Sequence, residues 1–152
     1  MGGLLTWDAA DVDLDLHLLI FSADDHQTYI YYGDTGSLST TPWCLLESDI
    51  TGGGSVPETL RGAKLLNARY QLWVHSYRGH EILRDTTKCR LQLGNQIVEL
   101  QPPNESGRVW HVVDFYGGSR EIKIANIMDN ALPTVVARPM NLVLSASPTP
   151  GR

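Results

Sequence analysis

Asp13-Leu14-Asp15-Leu16-His17-Leu18 alternates polar and apolar residues without a break. Successive side chains of an extended strand point to opposite sides, so Leu14, Leu16 and Leu18 share one face and Asp13, Asp15 and His17 the other. On a helix of 3.6 residues per turn the same leucines would be spread around the axis and could not form one apolar stripe. The segment therefore reads as a half-buried strand with its leucines in a core.

Strand signals continue on both sides of it. Leu4 to Trp7 reads as a first strand, and Thr28 to Tyr32, rich in aromatic and β-branched residues, forms a hairpin with the acidic strand and is closed by Gly33-Asp34. Trp43 to Ile50 is a further strand, ended by Gly52-Gly53-Gly54, a run too permissive in backbone for regular structure. Ala63 to Leu66 suits either a short strand or one helical turn, whereas Tyr70 to Tyr77 alternates as a central strand. Cys89 to Leu93 and Gln96 to Leu100 flank Gly94-Asn95, a two-residue connection suited to a primed turn. Val109 to Phe115 and Glu121 to Ile127 supply another hairpin. Long amphipathic helical periodicity is absent. The expected fold is an all-β antiparallel sandwich, jelly-roll or immunoglobulin-like, of about eight strands.

The chain of 152 residues suits a single domain, expected over 1–144, with 145–152 as a Pro-containing tail. Whether the stretch from Pro133 to Leu144 adds a last strand is open. With 42% hydrophobic and 19% charged residues the composition is globular. A net charge of −5 and the lack of any basic run oppose the phosphate attraction on which nucleic-acid binding depends. Apolar runs such as Leu18 to Phe21 are far shorter than the roughly 20 residues of a membrane-spanning helix. Cys44 and Cys89 suit either one disulfide or two buried thiols, and Asn104-Glu105-Ser106 fits the N-glycosylation sequon in an exposed loop.

Chemistry concentrates at the acidic strand. Asp8, Asp11, Asp13, Asp15 and His17 crowd together, and like charges in such proximity raise the electrostatic energy unless a cation or water intervenes. Ca²⁺, which takes six to eight oxygens, is the sharpest expectation for a cofactor, with Asp8, Asp13 and Asp15 joined by Asp49 or Glu58 from either side of the glycine run. The commoner reading of such a face is a solvated surface that blunts edge pairing. His17 with Asp13 and Asp15 has the composition of a transition-metal set, yet three ligands on one flat strand converge poorly on a small ion. His75 and His80 lack the spacing of a zinc motif and read as structural or exposed. Gly-x-Ser-x-Gly is missing, and no catalytic set emerges. Trp7, Trp73 and Trp110 read as core, whereas Tyr29, Tyr31 and Tyr77 are candidate ligand-binding rings.

Leu5-Thr6-Trp7-Asp8 followed by Asp13 to Leu18 resembles the opening of the YfaP-like domains, a largely uncharacterised family of secreted or surface-associated β-sandwich modules. Tyr31-Tyr32-Gly33, Leu46-Glu47-Ser48-Asp49 with the glycine run and Pro57-Glu58, Tyr70 to Val74 and Trp110 to Val113 extend the resemblance over residues 4 to 115. It implies an extracytoplasmic or cell-surface accessory module, with Asp8, Asp13, Asp15, Asp49 and Glu58 matching acidic positions of the family. Phe21-Ser22-Ala23-Asp24 departs from the family's Pro-x-Gly turn, and the loop from Ser37 to Pro42 is also atypical. The leading expectation is a non-enzymatic binding or adhesion module that recognises glycan or protein with Ca²⁺ assistance. Two rivals stay open, a metal-free domain for protein–protein interaction and a hydrolase using an acidic pair such as Asp13 and Asp15.

Overall fold

Pairing partners, rather than local pattern, decide how these strands are layered. The computed structural model describes residues 1–8, 12–23, 27–48, 56–78, 81–82 and 84–133. In chain order the strands are β1 (Gly2–Thr6), β2 (Leu14–Ser22), β3 (Gln27–Ile30), β4 (Gly36–Ser37), β5 (Cys44–Leu46), β6 (Glu58–Gly62), β7 (Ala68–Ser76), β8 (Lys88–Leu93), β9 (Gln96–Leu100), β10 (Val109–Tyr116) and β11 (Ile122–Asp129). A 3₁₀ turn at Arg84–Thr86 precedes β8. One sheet has the order β4-β5-β6-β1-β8-β9 and the other β11-β10-β7-β2-β3. All pairings are antiparallel, and the two sheets pack face to face as a sandwich.

Leu14, Leu16, Leu18 and Ile20 of β2 point between the sheets, where they meet Tyr70, Leu72 and Val74 of β7 and Leu5, Leu60 and Leu91 of the opposite sheet. Each fully buried leucine contributes about 2–3 kcal/mol relative to exposure. On β10 the register with both neighbours shifts between His111 and Val113, which lets Val112 and Val113 both enter the core. The Gly94-Asn95 connection joins β8 to β9, and Gly94 alone has positive φ (60°), the pattern of a type II′ turn.

Among the described residues there are eleven strands, against the eight or so expected. Pro57-Glu58-Thr59 masked β6 in the sequence, and β4 has only two residues. The segment Ala63 to Leu66 is neither strand nor helix. Cys44 and Cys89 are buried free thiols. Two strands, β6 and β1, stand between theirs, which at the usual inter-strand spacing separates the cysteines by at least about 14 Å, beyond disulfide reach. Asn104 is exposed in the loop after β9. Among the described residues no helix is long and apolar enough to cross a membrane. The glycine run 52–54, the stretch 134–144 and the tail 145–152 lie outside the described residues.

Candidate functional site

β2 and β7 lie side by side in the five-stranded sheet, and their register places Asp15 opposite His75 and His17 opposite Trp73. Directly opposed side chains on one sheet face start about 4.5–5.5 Å apart at Cβ, and residues two apart on one strand share that face. Asp15, His17 and His75 therefore converge on the outer face of the sheet. One ligand atom from each lies within 4.8 Å of those of the other two.

Although this is an outer face, Asp15 and His17 are only 1% and 2% exposed, and His75 is half-buried. Aromatic rings supply the cover. β3 pairs with β2 only from Leu18 to Phe21, and the chain beyond β3 doubles back through a Tyr31–Asp34 bridge. Tyr29 and Tyr31 stack on each other with centroids 4.1 Å apart and planes at 5°, and His17 lies nearly parallel to both at 5.5 and 5.9 Å. Tyr32 meets His17 edge-on, and Tyr77 meets Tyr32 edge-on at 5.4 Å. Tyr77 is held in place by its backbone N–H, which donates to the Asp13 carbonyl at 2.8 Å.

His17 Nδ1 and the Tyr29 hydroxyl are hydrogen-bonded at 2.5 Å, while His17 Nε2 has no hydrogen-bond partner among the described residues. Burial, reinforced by the neighbouring His75, pulls the His17 pKa down to about 3, and burial also lowers that of His75. Both rings are consequently neutral imidazoles near neutral pH, the form that binds metals. Burial first, then Tyr31, Tyr32 and Asp15, push the Tyr29 phenol up, so it keeps its proton.

The candidate residues separate into two groups. Tyr29, Tyr31 and Tyr77 are brought together, with Tyr32 added to them. Among the described residues, Asp15 shares its ligand cluster with His17 and His75 and not with Asp8, Asp13 or Glu58. Asp8 is exposed beyond β1, and Asp13 is buried at the start of β2. Glu58 is fully buried on the other sheet, where its Oε1 accepts the Leu16 N–H at 2.7 Å. Asp11, Asp49 and His80 lie outside the described residues. His75 and Tyr32 are the contributors that local pattern does not single out. The available signal for His75 was its place on the polar phase of the Tyr70 to Tyr77 alternation.

Further along the same face Trp73 stacks on His111 at 4.1 Å, and His111 Nε2 lies 2.6 Å from Asp114 Oδ1. At the opposite end of β2 a groove of about 560 Å³ is lined by Phe21, Ser22, Gln27, Arg69, Tyr116 and Ser119. It is open to solvent and remote from the His17 cluster. Comparison of the chain with protein-family models, with curated proteins and with solved structures yields no match.

Proposed function

We propose that this chain is a non-catalytic binding module and that its ligand face is the tyrosine patch at the Asp15 end of the five-stranded sheet. One observation carries the reading: Tyr32 and Tyr77 are 41% and 54% exposed with rings set 82° apart, and Tyr32 packs edge-on against both His17 and Tyr31. Tyr32, packed against three rings, has little freedom left to lose, so its contact with a ligand costs little ordering entropy. Two exposed rings at a steep angle, each with a phenol hydroxyl, suit the C–H face and the hydroxyls of a sugar ring. The ligand class is therefore a glycan. Asp13 and Asp15, the acid pair of the hydrolase reading, are buried rather than set along a cleft, which gives that reading no support.

A glycan array tests the proposal with the wild-type chain and with a Tyr32→Ala/Tyr77→Ala variant. The expected result is binding to one glycan class and loss of at least tenfold in affinity in the variant, with its melting temperature within a few degrees of wild type. Silence across the array sinks the glycan reading. A protein partner is favoured by a separate observation, the exposed Ile124 and Ile127 on β11, which is an edge strand among the described residues. An apolar edge of this kind is a template for an added strand.

A further inference from the structure

Asp15, His17 and His75 present two imidazole nitrogens and a carboxylate from two adjacent strands, and we infer that they bind a divalent first-row transition ion such as Zn²⁺. Three ligands on one flat strand diverge, but the β2–β7 register takes the third from the neighbouring strand, directly opposite Asp15. A tetrahedral ion with bonds of about 2.1 Å sets its ligands about 3.4 Å apart. Ligand atoms already within 4.8 Å of one another reach that spacing through small side-chain rotations.

His17 is buried, yet among the described residues its Nε2 has no hydrogen-bond partner, and a buried polar atom without a partner is costly. With Nδ1–H donating to the Tyr29 oxygen, Nε2 offers its lone pair to an ion and that cost disappears. A metal-bound histidine is ordinarily held in this way, its second nitrogen donating to an oxygen that fixes tautomer and ring angle. Donor type then selects the ion. Two imidazoles with one carboxylate suit Zn²⁺ and its neighbours, whereas Ca²⁺ calls for six to eight oxygens. Three protein ligands leave one coordination position for water or a donor atom of a ligand. The inference does not rest on the tyrosine patch taking a glycan, since the ion is held beneath those rings by other residues.

The test uses tag-free, EDTA-treated protein, titrated with Zn²⁺ by calorimetry and melted with Zn²⁺, Ca²⁺ or EDTA. Expected are about one Zn²⁺ per chain and a higher melting temperature with Zn²⁺. His75→Gln, at a half-buried position, is expected to weaken Zn²⁺ binding at least tenfold while its melting temperature in EDTA stays close to wild type. His111→Gln, a histidine outside the cluster, is expected to leave the affinity unchanged. No Zn²⁺ binding, wild-type affinity in His75→Gln, or stabilisation by Ca²⁺ without stabilisation by Zn²⁺ overturns the inference. Should His75→Gln fail to fold, Co²⁺ added to the wild-type chain decides. Intense visible bands of a four-coordinate ion support the site, and the weak bands of a six-coordinate ion overturn it.

Discussion

Glu58 shows how one side chain can be conspicuous in the sequence for one chemistry and engaged in another. The edge of β2 from Leu14 to His17 is not paired by β3, and the Glu58 carboxylate supplies the acceptor for the Leu16 N–H from the opposite sheet. A buried N–H left without an acceptor costs about 1–3 kcal/mol. Glu58→Leu is therefore expected to lower the unfolding free energy by about 3 kcal/mol, and Glu58→Gln, which retains a carbonyl acceptor, by at most half of that. Urea titration measures both, and equal losses would remove the hydrogen bond as the explanation. Tyr29→Phe keeps the stacked ring and deletes the hydroxyl that orients His17. It is expected to cost about 1–2 kcal/mol of stability and to weaken Zn²⁺ roughly tenfold, and unchanged Zn²⁺ affinity would count against its orienting role. Asp15, His17 and the tyrosines could be picked from period-2 placement. His75 could not be joined to them, because the register between β2 and β7 is a non-local property that no local window contains.

At the scale of elements, the alternation from Asp13 to Leu18 was legible because one face of that segment is apolar and the other polar. It fails from Leu19 onward, where β2 continues to Ser22 with Leu19 packed outward against Trp73 and Val109. A second small apolar cluster on the outer face makes both faces hydrophobic there, and strict alternation can no longer mark the strand. β6 was illegible for a related reason, since Glu58, its first inward residue, is charged. The turn between β10 and β11 depends on a close approach that the sequence did not disclose. A Cβ added at Gly117 would lie 1.8 Å from the Leu66 carbonyl oxygen, backbone against backbone, whereas one added at Gly2 meets nothing within 4 Å. Gly117→Ala is expected to destabilise the chain by about 3 kcal/mol and Gly2→Ala by no more than about 0.5 kcal/mol. Comparable melting temperatures for the two variants would show that the turn yields to the added methyl group.

For the whole molecule, the core between the sheets sets a limit on the alkaline side. Cys44 and Cys89 both point into it, on β5 and β8. Burial pushes the Cys44 thiol from its ordinary 9.0 up to about 11, a nearby N-terminal charge opposing the shift in part, and burial pushes Cys89 up to about 12. A raised pKa means that the fold favours the protonated thiol. Its contribution is thus fully present below pH 9 and is lost as the pH climbs through 11 to 12, because the unfolded chain releases protons that the folded chain retains. While both thiols are ionised only in the unfolded state, each lowers the unfolding free energy by about 1.4 kcal/mol per pH unit. Tyr70, buried in the same core, is raised further and adds its loss later. Cys44→Ala/Cys89→Ala is expected to be less stable than wild type at pH 8, owing to the two small cavities, but to lose stability less steeply between pH 9 and 11. The gap between the two proteins should narrow as the pH rises, and urea midpoints measured at half-unit intervals decide it. Parallel declines would mean that groups other than these thiols govern the alkaline loss.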